Sequence, residues 1–185
     1  MESSEEEFKK DQELIKAKVK IFNDFPKPGI AFYDLFSILE DSSIRLAVIK
    51  SSITLIQKGV PNFNTIVGLE ARGLMLGLLF ADLLKVRFVP ARKKGKLPGE
   101  CASEDFSLEY GKDSFEIQKS LITKDSKVLI IDDLLATGGS LLAVEKLVIK
   151  LGGEIAGYYV IFKNAQLKGE TKLQKPAKLI NMINI

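Results

Sequence analysis

Residues 128–140 constrain the fold of this chain more than any other segment. They read Val-Leu-Ile-Ile-Asp-Asp-Leu-Leu-Ala-Thr-Gly-Gly-Ser and lead into a stretch with helically spaced apolar residues. This order indicates a buried strand, a polar strand end at Asp132 and Asp133, a small glycine-rich loop and a helix N-terminus. Such a loop offers backbone N–H groups and a partly positive helix end to an anion. The segment therefore predicts a site for a phosphorylated sugar, with its hydroxyls at the two carboxylates.

Each part of this segment also has a purely structural explanation, because a Gly-Gly pair after a strand is usually only a turn. The segment matches neither the Gly-x-x-x-x-Gly-Lys-[Ser/Thr] loop nor the Gly-x-Gly-x-x-Gly motif. The complete run is far less common than its parts, and it resembles the phosphoribosyl-diphosphate (PRPP) motif of type I phosphoribosyltransferases. The resemblance implies that Asp132 and Asp133 bind the ribose hydroxyls. It implies that the 5′-phosphate is bound by Ala136, Thr137, Gly138, Gly139 and Ser140.

The composition excludes several classes of chemistry. Histidine is absent, which excludes Ser-His-Asp and Cys-His catalysis and histidine metal ligation, so acid–base work falls to Asp, Glu, Lys or Tyr. The net charge of +3, from 27 basic and 24 acidic residues, does not suggest a nucleic-acid partner. At 185 residues and 46% hydrophobic, with no internal repeat, residues 1–185 are expected to form a single domain.

The same sequence predicts a soluble, cytoplasmic protein. A lone cysteine, Cys101, rules out an internal disulfide and a cysteine-built zinc site. The first residues are acidic, unlike a secretory signal. The most apolar stretch, residues 73–84, is too short to span a bilayer and contains Asp82, so no membrane association is expected.

Apolar spacing predicts strands that alternate with helices. Four helices are expected. The first covers residues 4–22, and the second runs from its N-cap Ser43 to Gly59. The third follows the segment 70–73 and ends at about residue 84, and the fourth runs from the glycine-rich loop to Gly152. Strands are expected at 64–69, 86–91, 127–131, 155–162 and 179–183, with a hairpin of 106–110 and 114–119. This alternation predicts an α/β fold whose mostly parallel central sheet is flanked by helices, with ligands beyond the carboxyl ends of the strands.

Two segments carry candidate cations for a departing pyrophosphate. Glu70-Ala71-Arg72-Gly73 follows a predicted strand, as the pyrophosphate loop of the family does, although an Arg-Gly after a strand is by itself more often a structural turn. In this family that loop commonly contains a non-proline cis peptide. One strand later, residues 92–99 form a basic cluster in which Lys94 is expected to stay at the surface. The predicted pyrophosphate ligands are Glu70, Ala71, Arg72, Arg92, Lys93 and Lys96.

Three further segments sharpen the resemblance. Residues 25–34 (Phe-Pro-Lys-Pro-Gly-Ile-Ala-Phe-Tyr-Asp), 92–99 (Arg-Lys-Lys-Gly-Lys-Leu-Pro-Gly) and 107–112 (Ser-Leu-Glu-Tyr-Gly-Lys) resemble the adenine phosphoribosyltransferase family. The resemblance implies a homodimer that converts adenine and PRPP to AMP and pyrophosphate through an oxocarbenium-like transition state. It also implies a type I phosphoribosyltransferase fold with a small N-terminal hood, about residues 1–35, and a flexible lid, about residues 92–119.

The resemblance further implies residue roles. Ala31 is expected to read adenine through its backbone, while Phe32 and Leu134 sandwich the ring. Glu109 is expected to manage the imidazole proton as N9 attacks C1′, and Tyr110 to close beside it and exclude water. Arg72 completes the catalytic set. Mg²⁺ is expected to arrive on PRPP, held by substrate oxygens and water, with no metal site built by the protein alone.

Two other functions compete with this interpretation. A 6-oxopurine phosphoribosyltransferase for hypoxanthine, guanine or xanthine would share the phosphate loop but would need a donor for O6. A PRPP-sensing regulator without turnover would need a DNA-binding extension, for which residues 1–24 are too short and too acidic. Two positions depart from the family pattern: Tyr33 stands where many relatives have arginine, and Lys163 where they often have an acidic residue.

Overall fold

The computed structural model describes residues 2–108, 111–173 and 177–185. The chain divides into two compact units, Met1–Thr54 and Leu55–Ile185. Among the described residues, none of the helices combines the length and the apolar character needed to cross a membrane.

The first unit combines helices with a short antiparallel hairpin. Its elements are α1 (Glu2–Lys18), β1 (Lys20–Asn23), β2 (Ala31–Asp34), α2 (Leu35–Leu39) and the start of α3 (Ser42–Gly59). The hairpin pairs Phe22 with Phe32 across the two strands. Its turn is closed by the Asp24 side chain, which accepts a hydrogen bond from the Gly29 N–H at 2.7 Å, and it contains a cis Phe25–Pro26 bond.

Two predictions in this unit were wrong. The helix predicted over residues 4–22 ends at Lys18, because the following residues pair with β2 and the Lys20 N–H donates to the Ser37 hydroxyl at 2.9 Å. Ser43 is not the N-cap of α3. Asp41 caps it instead, because its carboxylate accepts hydrogen bonds from the backbone N–H groups of Ser43 and Ile44 at 2.8 and 3.1 Å.

The second unit contains a mostly parallel sheet, which confirms the predicted fold class. Within the described residues, seven strands join in the order β5-β6-β4-β3-β7-β8-β9. Neighbouring strands in the run β4-β3-β7-β8-β9 are parallel, whereas β6 is antiparallel to both of its neighbours, β4 and β5. The strands are β3 (Thr65–Leu69), β4 (Arg87–Lys93), β5 (Cys101–Leu108), β6 (Gly111–Gln118), β7 (Lys127–Leu135), β8 (Glu154–Lys163) and β9 (Lys178–Asn184).

Two helices and two short 3₁₀ helices connect these strands. They are α4 (Arg72–Leu84), α5 (Gly139–Lys150), and the 3₁₀ helices Lys119–Leu121 and Gly169–Lys172. α4 packs on β3 and β7, and α5 packs on the β5-β6 hairpin and on β7 and β8. The core lies between these layers, since β3 is buried along its whole length and residues 128–131 of β7 are fully buried.

Several strands run further than their apolar pattern predicted, β5 and β7 by the most residues. β5 begins at Cys101, within a segment expected to be non-periodic, because its polar residues pair with β6 across the hairpin. β7 continues through Asp132 and Asp133 to Leu135, because β8 pairs with it to that point. Since β3 and β7 are parallel neighbours, their carboxyl ends meet at the same edge of the sheet.

Candidate active site

The two aspartates of the 128–140 segment lie inside β7 and not in the loop after it. Asp133 is 4% exposed, and Asp132 is partly exposed. The Asp133 N–H donates to Asp132 Oδ1 at 2.9 Å, which fixes the orientation of that carboxylate. Burial raises the pKa of Asp132 well above its usual value, and the neighbouring Asp133 carboxylate raises it further.

The predicted pyrophosphate loop lies against this pair. Arg72 is the first residue of α4, and its Nε lies 3.0 Å from Asp133 Oδ2. Burial also raises the pKa of Asp133, although the Arg72 guanidinium opposes that shift. The peptide bond between Glu70 and Ala71 is cis, as the family resemblance led us to expect. The fold therefore brings the loop 70–73 and the carboxylate pair to one place.

This contact requires glycine at two positions. A Cβ on Gly73 would lie 2.5 Å from the carbonyl oxygen of Ile131, and a Cβ on Gly68 would lie 2.4 Å from the carbonyl oxygen of Gly73. The backbones of β3, α4 and β7 therefore approach more closely than any side chain would permit. Gly68 lies outside the predicted site, and only its position inside a predicted strand could have indicated a close backbone approach.

The predicted phosphate loop, Ala136–Ser140, joins the end of β7 to α5. Gly138 has a φ of +79° and precedes the first helical residue, Gly139. Its carbonyl accepts a hydrogen bond from the Leu142 N–H at 3.0 Å. The first N–H groups of a helix have no acceptor within that helix, so this loop presents donors to an anion.

The backbone of Gly169 lies directly behind the phosphate loop. A Cβ on Gly169 would lie 2.2 Å from the Ala136 carbonyl oxygen and 2.7 Å from the Gly138 nitrogen. The two segments are about thirty residues apart in sequence, and nothing in the local pattern indicated their contact.

Arg92, predicted to bind pyrophosphate, is held by groups of its own chain. Its Nη2 and Nε donate to the two oxygens of Glu70 at 3.1 and 3.2 Å, and its Nη1 donates to the Lys96 carbonyl at 3.0 Å. The Lys93 N–H donates to the same Glu70 carboxylate at 2.9 Å. These hydrogen bonds, the one from Arg92 foremost, lower the pKa of Glu70 below its usual value despite its partial burial.

The Lys93 side chain reaches into the β5-β6 hairpin. Its ammonium forms an ion pair with Asp113 and lies 4.5 and 4.4 Å from the ring centres of Phe106 and Phe115. The two rings stack at 5.1 Å. Burial opposes ionisation of Asp113, yet the hydrogen bonds from Lys93 and the Ser114 N–H keep its pKa below the usual value. The predicted site cation Lys93 therefore anchors the hairpin in this structure.

The residues predicted to bind a base belong to separate units. Ala31 is exposed and Phe32 is partly buried in β2, where the Phe32 ring meets Phe25 edge-on at 5.1 Å. Leu134 is a partly exposed residue of β7. The predicted proton-handling pair, Glu109 and Tyr110, lies outside the described residues.

No cluster of three or more His, Cys, Asp or Glu side chains able to hold a metal ion occurs in the part of the chain that the structure describes. Asp132 and Asp133 are nevertheless the hard oxygen donors that Mg²⁺ prefers. Their raised pKa values mean that a nearby cation would favour their ionised forms. The pair therefore suits an ion that brings most of its own ligands.

Comparison with known proteins gives consistent matches. The family described as "Phosphoribosyl transferase domain" matches residues 37–184. Adenine phosphoribosyltransferase of Drosophila pseudoobscura pseudoobscura is 43% identical over 161 residues, which are 87% of this chain and 89% of that protein. The same enzyme of Escherichia coli O157:H7 is 46% identical over 165 residues, 88% of each chain.

A solved structure agrees with these sequence matches. Saccharomyces cerevisiae adenine phosphoribosyltransferase, complexed with D-2,5-dideoxy-2,5-imino-altritol 1,6-bisphosphate and adenine, is 36% identical with a TM-score of 0.89. The likeness covers 94% of this chain and 99% of that one.

The raised pKa of Asp132 yields a testable stability effect. Between the unfolded pKa, about 3.9, and the higher folded pKa, the folded state binds more protons, so stability falls as pH rises through that window. Asp132→Asn keeps an acceptor for the Asp133 N–H and removes the charge. We expect it to raise the free energy of unfolding at pH 8, because the variant removes a charge that burial and the neighbouring Asp133 carboxylate disfavour. Denaturant unfolding at pH 8 and pH 4 measures this.

The gain should shrink as the pH is lowered to 4, because protonation of the wild-type carboxyl removes the charge that the variant lacks. Asp133→Asn is the matched control, because it removes the same charge but also the ion pair with Arg72. A gain for Asp132→Asn that is absent at pH 8, or equally large at pH 4, would contradict the raised pKa.

Proposed function

Because this chain belongs to the phosphoribosyl transferase family, and within it to the adenine phosphoribosyltransferases, we propose that it converts adenine and PRPP to AMP and pyrophosphate. One observation carries the proposal. The Arg72–Asp133 ion pair joins the loop 70–73 to the carboxylates of β7, which lead directly into the phosphate loop. The loop 70–73 and the segment 132–140, which were predicted from two different motifs to bind PRPP, thus meet at the carboxyl edge of the sheet.

We assign the parts of PRPP to these segments. The 5′-phosphate binds the N–H groups of Ala136–Ser140. The ribose hydroxyls donate to the carboxylate oxygens of Asp132 and Asp133, which can only accept hydrogen bonds when ionised. The pyrophosphate binds at Glu70–Arg72 and the basic segment. In that segment Lys96 is exposed. Arg92 and Lys93 are paired with Glu70 and Asp113, so each must share or release its carboxylate partner to bind the pyrophosphate.

The chemistry is a displacement at C1′. The bond from adenine N9 to C1′ forms as the bond from C1′ to the diphosphate oxygen breaks, and the imidazole proton of the base passes to Glu109. Tyr110 closes beside Glu109 and limits hydrolysis of PRPP. Ala31, Phe32 and Leu134 recognise the base. Arg72 offsets the negative charge that builds on the leaving diphosphate.

Mg²⁺ accompanies PRPP in this proposal and neutralises charge on the diphosphate when bound. Asp132 and Asp133 would hold the ribose hydroxyls, and their carboxylates are oxygen donors of the kind that such an ion prefers. The single cysteine accords with a cytoplasmic location.

We propose that a second copy of the chain covers the outer face of α4. This helix is apolar on two sides. One side, with Leu76 and Phe80, is buried, whereas the opposite side exposes 42%, 57%, 37% and 49% of Met75, Leu78, Leu79 and Leu83. Apart from Asp82, which pairs with Lys85 at the end of the helix, this exposed side is apolar, and an exposed apolar patch commonly marks a protein–protein interface. In the homodimer that the family resemblance implies, the second subunit would bury this exposed side of α4.

The substrate assignment is tested by pyrophosphate release from PRPP and Mg²⁺ with adenine, hypoxanthine or guanine in parallel. We expect turnover with adenine alone. Turnover with a 6-oxopurine would keep the PRPP site and overturn the roles of Ala31, Phe32 and Leu134. PRPP binding without turnover on any base would instead indicate a sensor.

The proton role of Glu109 is tested by Glu109→Leu. A missing proton acceptor typically costs about 10²- to 10⁴-fold in rate, so kcat should fall by that order while the Kd for PRPP stays near the wild-type value. Glu104→Gln is the matched control on the same hairpin, because it removes one carboxylate charge from β5. A kcat for Glu109→Leu no lower than that of the control would remove Glu109 from the mechanism.

The dimer surface is tested by Leu78→Glu, which places a charge in the middle of the exposed apolar face of α4. We expect a monomer in sedimentation at micromolar concentration, where the wild type is a dimer. Leu46→Glu on α3 is the control, since Leu46 is comparably exposed, at 60%. Dissociation by both variants, or by neither, would argue against α4 as the interface.

A further inference from the structure

The connection from β8 to β9 supports the phosphate loop from behind. The 3₁₀ helix Gly169–Lys172, here called the supporting turn, meets the loop backbone to backbone. A Cβ on Gly138 would lie 2.3 Å from the Gly169 carbonyl oxygen, and one on Gly169 would lie 2.2 Å from the Ala136 carbonyl oxygen. With no side chain between them, a displacement of the supporting turn changes the space available to the loop directly.

An ion pair ties the supporting turn to the strand beside the loop. Lys163 is the last residue of β8 and pairs in register with Leu135, the residue that precedes the phosphate loop. Its Nζ lies 2.7 Å from Glu170 Oε1, and the two side chains are only 19% and 34% exposed. The hydrogen bond from Lys163 lowers the pKa of Glu170 below its usual value, which favours the carboxylate that accepts this bond.

The rest of the supporting turn is held by local contacts and one apolar anchor. The Thr171 N–H and hydroxyl both donate to the Lys168 carbonyl, at 3.0 and 2.8 Å. The buried Leu173 side chain joins the core. These contacts fix the shape of the turn and its far end, whereas the Lys163–Glu170 pair fixes the end that touches the loop.

We propose that Lys163 and Glu170 are positioning residues for PRPP, which hold Gly169 against the phosphate loop and so keep its N–H groups directed at the 5′-phosphate. This rests on the proposed function, because it assumes that Ala136–Ser140 binds that phosphate. Neither side chain needs to touch the substrate. A loop held in its binding conformation loses less entropy when the ligand binds, so the pair contributes affinity through preorganisation.

Three variants test this role. Lys163→Met and Glu170→Gln each remove one partner, and the double variant Lys163→Glu/Glu170→Lys exchanges the two charges. We expect each single variant to raise the Kd and the KM for PRPP about 3- to 10-fold, the range of a partly buried ion pair. The kcat at saturating PRPP and the KM for adenine should stay within about twofold. The exchanged pair should recover most of the PRPP affinity.

Two further variants serve as controls. Lys172→Met removes an exposed cation of the same turn and should leave the Kd for PRPP unchanged, which separates positioning from net charge. Lys163→Arg keeps the pair and should stay near the wild type. If Lys163→Met does not fold, Glu170→Gln and Lys163→Arg still carry the comparison. Calorimetric titration of each free protein with PRPP measures the Kd.

A direct contact between Lys163 and the phosphate predicts a different pattern. In that case Glu170→Gln would keep or improve PRPP affinity and the exchanged pair would not recover it, which would overturn the positioning role. Unchanged affinity in both single variants would also overturn it. A wild-type protein that does not bind PRPP would instead refute the proposed function itself.

Discussion

The site depends on the close approach of three backbone segments at the carboxyl edge of the sheet. Gly68 in β3 and Gly73 in α4 leave no room for a Cβ, so α4 begins in contact with the carbonyl of Ile131 in β7. A side chain at either glycine would move α4 away from β7, and Arg72 away from Asp133 with it. The ion pair at 3.0 Å is therefore a consequence of backbone packing, which is stiffer than any pair of surface side chains.

That packing creates an electrostatic cost in the free chain. Asp132 and Asp133 are adjacent, largely buried and opposed by a single guanidinium, and both pKa values are raised. Residues that serve binding often reduce stability in this way, because the ligand supplies what the free site lacks. Sugar hydroxyls and a diphosphate-bound cation are partners of that kind, since hydroxyls donate hydrogen bonds and the cation offsets charge. The same geometry thus accounts for an electrostatic cost in the free chain and supports the PRPP binding that we propose.

The parts predicted well from sequence were those with strong local patterns. The apolar run before Asp132 and the helical spacing after Ser140 correctly predicted where β7 begins and that a loop and α5 follow it. The errors came where partners distant in sequence decide the outcome. β7 extends through two aspartates because β8 hydrogen-bonds to it, and residues 20–23 leave the helix because β2 pairs with them. Asp41 caps α3 in place of Ser43, a shift of two residues that periodicity does not resolve.

Charge type could be read from the sequence, but charge partners could not. The basic segment predicted Arg92 and Lys93 as anion ligands, yet in the free chain Glu70 and Asp113 hold them. Lys163 departs from the family pattern, and its charge is paired with Glu170 of the supporting turn. A cation already held by a carboxylate gains less from an incoming anion than a solvated one would, but it is ordered before the anion arrives. The affinity of such a site therefore depends on how its internal ion pairs arrange the backbone donors as well as on its number of cations.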